Sequence, residues 1–118
     1  MPGARMRRVN VAVREVISAH ISGDLKDPRI GFVTVTGVET SPDLRSARVF
    51  VSVLGEEAER NDALAGLRAA AGFLQAQIGR ELRMKRTPTL TFVYDESVDI
   101  GMRISKLLDE GESSEPAS

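Results

Sequence analysis

The chain contains no cysteine and no tryptophan among its 118 residues, and it has a single histidine. The absence of cysteine excludes disulfides, thiolate zinc sites and thiol nucleophiles, and it fits a reducing compartment. Only 4% of the residues are aromatic, so we expect a core of Val, Ile, Leu and Ala. No apolar run approaches the ~18 residues of a membrane span, and the basic N-terminus lacks the apolar segment of a signal peptide. We therefore predict a soluble cytoplasmic protein.

The net charge of −1 conceals an uneven distribution along the chain. Residues 109–118 hold four acidic residues and no basic one, and their Gly, Ser, Glu and Pro content is typical of disorder. We therefore predict one folded domain over residues 1–108 and an acidic disordered tail over residues 109–118. The domain has 16 basic residues against 13 acidic ones. Thirteen of the basic residues are Arg, which suits phosphate contacts, although genomic base bias would also enrich arginine.

The apolar pattern of the first half predicts a helix followed by a β-hairpin. Apolar residues three and four positions apart indicate a helix over residues 7–22, which ends at Gly23. Alternating β-branched residues indicate strands over residues 30–40 and 46–54, with a bulge at Gly37. The short turn between the two strands makes them antiparallel.

The second half predicts a helical region, a third strand and a short final helix. We expect Asn61 to cap the helical region, which covers residues 62–83, and Ser97 to cap the final helix. The strand lies within residues 87–97, and a connection through helices makes it parallel to its neighbour. The predicted fold class is therefore α+β, a three-stranded mixed sheet with helices packed on one face.

The sequence offers few groups for catalysis. His20 lies on the apolar face of the first helix, where a partly buried histidine with satisfied hydrogen bonds is more common than a general base. No second histidine or cysteine is available for a metal site, and the chain has no phosphate-binding glycine motif. We therefore expect no enzyme, no cofactor, no metal and no small-molecule substrate.

Clusters of basic side chains are the remaining functional signal. The segment "RELRMKR" (80–86) is the densest cluster, and cations at a helix C-terminus also complement the helix dipole. Several such clusters on one small domain favour RNA binding. On electrostatic grounds, the candidate RNA-contacting residues are Arg5, Arg7, Arg8, Lys26, Arg29, Arg45, Arg48, Arg80, Arg83, Lys85 and Arg86.

Two long segments carry a resemblance to a known family. "LKDPRIGFVTVTGVETSPDLRSARVFVSVL" (25–54) and "RTPTLTFVYDESVDIGMRISKLL" (86–108) closely resemble bacterial ribosome-binding factor A. The resemblance covers residues 5–108 and implies a KH-like domain of type II topology. It implies binding to the free 30S ribosomal subunit and its 16S rRNA, and a role in late maturation near the rRNA 5′ end. It implies no cofactor and no covalent chemistry, and we expect a monomer.

The resemblance also bears on Gly72, which interrupts the helix-forming segment "LRAAAGFLQAQI" (67–78). The apolar face continues in phase through this glycine, so periodicity alone leaves open whether the helix breaks. A typical KH domain holds the nucleic-acid backbone with a GxxG loop between two helices, and this sequence contains no GxxG. The family's equivalent is an Ala-x-Gly kink, here Ala70, Ala71 and Gly72. We predict that Gly72→Val would strain this kink.

Two alternative functions remain open at this point. The chain could be a generic KH-like binder of single-stranded RNA, which would bind short single strands as tightly as it binds the subunit. It could instead be a protein–protein interaction module, whose association would survive nuclease treatment and charge reversal at Arg80, Arg83 and Arg86.

Overall fold

The computed structural model describes residues 3–97 and 107–108. These residues form a helix, a hairpin, two consecutive helices and a last strand. The elements are α1 (Ala4–Ser22), β1 (Val33–Thr40), β2 (Ser46–Val53), α2 (Glu57–Ala69), α3 (Ala71–Glu81) and β3 (Thr89–Tyr94). Most of the predicted final helix, and the whole of the predicted acidic tail at 109–118, lie outside the described residues.

The sheet has the predicted mixed topology. Its strand order is β1-β2-β3, with β1 antiparallel and β3 parallel to the central strand β2. The register of the hairpin shifts between Val35 and Gly37, so the predicted bulge is confirmed and the extra residue is Thr36. Its hydroxyl donates to the carboxylate of Asp95 at 2.6 Å, which joins β1 to the residue that follows β3.

The helices cover one face of the sheet, as predicted for an α+β fold. Alternate residues of β2 are buried beneath them, and α1 and α3 also pack against each other. Full burial of one large apolar side chain contributes about 1.5–3 kcal/mol, so this layer accounts for much of the stability. The largest fully buried side chains are Phe92, Ile17, Leu67, Leu74, Ile78, Val13, Val49, Val51 and Pro88.

The start of α2 differs from the prediction. The helix begins at Glu57, not after Asn61, and Glu56 is its N-cap. The carboxylate of Glu56 accepts from the backbone of Glu59, and the backbone N–H of Glu56 donates to the Glu59 carboxylate at 2.8 Å. The expectation that Asn61 caps this helix was wrong because Glu56 and Glu59 form a capping box one turn earlier, and acidic residues are favoured at the positive end of the helix dipole.

The helical region does break, at Ala70. This residue has φ −88° and ψ −1°, and its N–H donates to the carbonyls of Gly66 and Leu67, both at 3.1 Å. The predicted kink is therefore present, but the expectation that a side chain at position 72 would strain it was wrong. Gly72 is the second residue of α3, and a β-carbon added to it would meet no heavy atom within 4 Å.

Two other helical glycines lie where the chain packs closely. A β-carbon on Gly66 would approach Cγ1 of Ile30 to 2.8 Å, and one on Gly79 would approach Cγ2 of Thr87 to 2.6 Å. Such distances are shorter than ordinary packing allows. These positions bring loops against α2 and α3, and they explain two of the three glycines in the helical region.

Candidate nucleic-acid interface

The strand directions divide the sheet into two ends. At one end β1 finishes and β2 and β3 start, since Thr40 pairs with Ala47 and Ser46 pairs with Thr89. At the other end β1 starts and β2 and β3 finish. Charged residues that are far apart in the sequence meet at each of these ends.

Four exposed basic residues meet where β2 and β3 start, and we call this group the basic end. The N–H of Thr89 donates to the carbonyl of Arg45 at 2.9 Å, which places Lys85 and Arg86, just before β3, beside the hairpin turn. Arg5 at the start of α1 lines a shallow hollow with the same turn. The basic end therefore consists of Arg5, Arg45, Lys85 and Arg86.

The side chains of the basic end are available for an anionic partner. Among the described residues, no acidic group lies within 4.0 Å of Arg5, Lys85 or Arg86. Asp43 is the acidic neighbour of Arg45, at 3.9 Å. Hydrogen bonds from the hydroxyl of Ser41 and the backbone of Arg45 lower the pKa of Asp43 and hold its carboxylate in the turn.

The C-terminus of α3 adds two exposed arginines, Arg80 and Arg83. Arg83 has φ +53°, the left-handed conformation in which glycine is usual. The N–H of Met84 donates to the carbonyl of Gly79 at 3.0 Å, a bond typical of a Schellman motif. This motif ends α3 and turns the chain back towards Lys85, Arg86 and β3.

The remaining predicted basic residues do not join this group as one surface. Arg7 and Arg8 are exposed on α1, two and three residues after Arg5. Arg48 lies on β2, where Glu39 of the paired strand binds its guanidinium. Arg29 forms an ion pair with Asp27 at 2.7 Å, which lowers the pKa of Asp27, and Lys26 is exposed nearby in the same loop.

The predicted kink residues form the N-terminus of α3. No side chain among the described residues caps this terminus, so its first backbone N–H groups are not occupied by a cap. Phe73, in the same turn, contacts the ring of His20 edge to face at a centroid distance of 5.4 Å. The kink therefore packs against the C-terminal part of α1.

His20 has the role expected from the sequence, a partly buried histidine with both ring nitrogens bonded. Its side chain is 16% exposed, with Nε2 2.6 Å from a carboxylate oxygen of Glu81 and Nδ1 2.7 Å from one of Asp24. Both bonds raise the pKa of His20, the bond to Glu81 more strongly. Because carboxylates only accept, the arrangement favours the doubly protonated ring, which joins α1 to α3.

A second charged surface lies at the opposite end of the sheet, and it was not predicted from the sequence. The N–H of Asp95 donates to the carbonyl of Val51 at 2.8 Å, which places the residues after β3 beside the end of β2. The first turns of α2 lie beside the end of β3, because the guanidinium of Arg60 stacks on the ring of Tyr94 at 3.8 Å. The sequence did contain a signal for this surface, the acidic run before Asn61. Acidic residues are enriched in the first turn of a helix, where they are exposed. This acidic end consists of Glu56, Glu57, Glu59, Asp62, Asp95 and Glu96.

Two kinds of feature are absent from the described residues 3–97 and 107–108. No helix in this part of the chain is long and apolar enough to span a membrane. No group of three or more His, Cys, Asp or Glu side chains there is placed to hold a metal ion.

Comparison with known proteins gives consistent matches. The family model described as ribosome-binding factor A matches residues 5–108. Ribosome-binding factor A of Anaeromyxobacter dehalogenans (strain 2CP-C) is 54% identical over 117 residues, which cover 97% of this chain and 85% of the relative. The crystal structure of ribosome-binding factor A from Thermus thermophilus superposes with a TM-score of 0.67 at 30% identity, covering 75% of this chain and 94% of that one.

A further match comes from a complex. A homology model of Thermus thermophilus ribosome binding factor A, fitted into the cryo-EM map of a complex with 30S, superposes with a TM-score of 0.62. The two chains are 31% identical, and the match covers 74% of this chain and 91% of the other.

Proposed function

Since this chain belongs to the ribosome-binding factor A family, we propose that it binds the immature 30S subunit through 16S rRNA. We propose further that it assists late maturation of that rRNA, including processing of its 5′ end. The name of the family and the 30S complex of the Thermus thermophilus relative support the first part. The second part rests on the family resemblance.

The observation that carries the proposal is the basic end. Arg5, Arg45, Lys85 and Arg86 come from three separate parts of the sequence, and the sheet brings them to one surface. Arginine forks and lysine ammonium groups on one face are suited to the phosphates of a nucleic-acid backbone. We therefore assign the main phosphate contacts to these four residues.

The other predicted residues take supporting roles in this proposal. Arg80 and Arg83 add positive charge at the C-terminus of α3, and Arg7 and Arg8 add it separately on α1. Arg29, Arg48 and Lys26 contribute less, because the first two are already paired with carboxylates and Lys26 lies in a different loop. We expect the affinity for rRNA to depend least on these three.

We propose that the kink at Ala70, Ala71 and Gly72 lets an RNA backbone approach α3 closely. The open space beside Gly72 and the uncapped N-terminus of α3 support this role, because glycine allows close approach and helix N-termini attract phosphate. The missing GxxG loop disfavours the alternative of general single-strand binding.

The wider expectations from the sequence stay predictions. We propose that residues 1–108 act as one RNA-binding domain with the acidic tail as an appendage. We also propose that the protein is a cytoplasmic monomer that needs no cofactor and binds no small-molecule substrate.

Co-sedimentation with purified 30S subunits at graded salt tests the proposal. The slope of log K against log salt is negative, and each lost phosphate contact reduces its magnitude by about 1. We expect this shallower slope in Arg86→Ala and in Arg45→Ala. The matched control is Arg48→Ala, whose guanidinium is paired with Glu39, and its slope should match that of the unmodified protein.

Three results would contradict the proposal. The first is the absence of co-sedimentation at low salt. The second is equal affinity for short single-stranded RNAs, which would favour a generic RNA-binding protein. The third is association that survives both nuclease treatment and charge reversal at Arg80, Arg83 and Arg86, which would favour a protein-interaction module.

A further inference from the structure

Two large apolar side chains are exposed side by side at the acidic end. Phe32 is 78% exposed and Leu54 is 74% exposed. They are neighbours because the N–H of Leu54 donates to the carbonyl of Phe32 at 3.0 Å, which extends the hairpin ladder by one bond. Apolar residues exposed singly are common, whereas contiguous apolar surface with a polar rim marks interaction sites.

The surroundings of the pair form a shallow hollow with an acidic rim. The hollow is lined by Pro28, Arg29, Gly31, Phe32, Val53, Leu54, Glu59 and Asp62. Glu56 and Glu57 follow Leu54 closely in the chain, and both are exposed. The apolar pair is thus bordered by the carboxylates of Glu59 and Asp62, with Glu56 and Glu57 two and three residues beyond Leu54 in the chain.

The lining of the hollow keeps a net negative charge. Two lining residues are acidic, Glu59 and Asp62, and one is basic, Arg29. Arg29 forms an ion pair with Asp27 at 2.7 Å and also interacts electrostatically with Asp62, so its single positive charge is shared between two carboxylates. The carboxylates at this end repel phosphates, so an RNA backbone does not fit here. A second copy that presented the same end would meet like charges.

We propose that Phe32 and Leu54, with the rim of Glu56, Glu57, Glu59 and Asp62, dock a basic polypeptide segment that carries an apolar side chain. The apolar residue would cover the exposed pair, and its Lys or Arg neighbours would meet the carboxylates. This inference rests on the proposed function, because it takes the partner to be a protein of the 30S subunit whose rRNA binds the basic end. The two ends of the sheet would then contact protein and RNA separately.

Photo-crosslinking of the full chain tests this assignment. The photoreactive amino acid p-benzoylphenylalanine replaces Phe32, and a control chain carries it at Val11, an exposed apolar position on α1 away from the acidic rim. Both chains are bound to purified 30S subunits, irradiated and treated with nuclease. We expect a nuclease-resistant, protease-sensitive adduct with a basic protein of the subunit at position 32 and not at position 11. An adduct with rRNA, an adduct with a second copy of the chain or no adduct would overturn the proposal.

A binding measurement gives an independent test. The double variant Phe32→Ser with Leu54→Ser should bind 30S subunits about tenfold more weakly, as for the loss of apolar anchors, with an unchanged salt slope. Its affinity for protein-free 16S rRNA and its melting temperature should match those of Val11→Ser. Equal affinity of the double variant and Val11→Ser for subunits would overturn the docking surface alone. Failure of the unmodified chain to bind subunits would overturn the proposed function as well.

Discussion

Replacing glycine by alanine at two positions of the helical region should change stability in opposite directions. At Gly72 a β-carbon meets no heavy atom within 4 Å, so only the backbone preference matters. Glycine within a helix is less stable than alanine by about 0.5–1 kcal/mol. We therefore expect Gly72→Ala to raise the free energy of unfolding by up to about 1 kcal/mol.

At Gly66 the same substitution meets a packed surface. The new β-carbon would lie 2.8 Å from Cγ1 of Ile30 and 3.3 Å from Cβ of Arg29. Overpacking of this kind costs about 1–3 kcal/mol, which exceeds the gain in helix preference. We expect Gly66→Ala to lower the free energy of unfolding by about 1 kcal/mol, a difference of about 2 kcal/mol from Gly72→Ala.

Urea denaturation followed by far-ultraviolet circular dichroism measures both effects. The midpoints should move in opposite directions while the m-value stays constant, which identifies a change in stability and not in the denatured state. In thermal melts, 1 kcal/mol corresponds to about 4–8 °C for a domain of this size. Ile30→Ala removes the clashing atom, so Gly66→Ala should cost less in that background.

Two results would refute this reasoning. If Gly66→Ala stabilised the protein as much as Gly72→Ala, the close approach of Ile30 to α2 would be wrong. If Gly72→Ala destabilised it, the kink would require a glycine after Ala71, as expected from the sequence.

Three further predictions concern the helix ends. His20→Gln should lower the free energy of unfolding by about 1 kcal/mol at pH 6, since the carboxylates of the two His20 ion pairs are partly exposed. Folding raises the pKa of His20, so its contribution is complete below the unfolded pKa and disappears as pH rises through the folded pKa. Thermal melts of the variant and the unmodified protein at pH 9 should therefore show little difference. Glu56→Ala should cost about 1 kcal/mol in urea denaturation, whereas Asn61→Ala, at the position predicted from the sequence as the cap, should be close to neutral. Arg83→Gly should change the free energy of unfolding by no more than about 0.5 kcal/mol, since relief of the left-handed conformation offsets the flexibility gained in the unfolded chain. The same variant should make the dependence of 30S binding on salt shallower. An unchanged salt dependence would remove Arg83 from the interface.

The local patterns of the sequence determined most of the architecture. Alternation with period 2 over 46–54 placed Ala47, Val49 and Val51 on one buried face, as the structure confirms. The helical connection made β3 parallel to β2, because short right-handed crossovers leave few other arrangements. The resemblance to a known family located the break near Ala70, which periodicity had left open because the apolar face stays in phase on both sides of it.

The tertiary structure decided what depends on residues distant in sequence. Gly66 matters because Ile30, 36 positions earlier, packs against it, and Gly72 is unconstrained because nothing approaches it. The basic end exists because the hydrogen bond from Thr89 to Arg45 joins two segments 44 positions apart. Helical and strand periods report only which face of an element is apolar, so the sequence alone could name the charged residues but could not divide them between the two ends of the sheet.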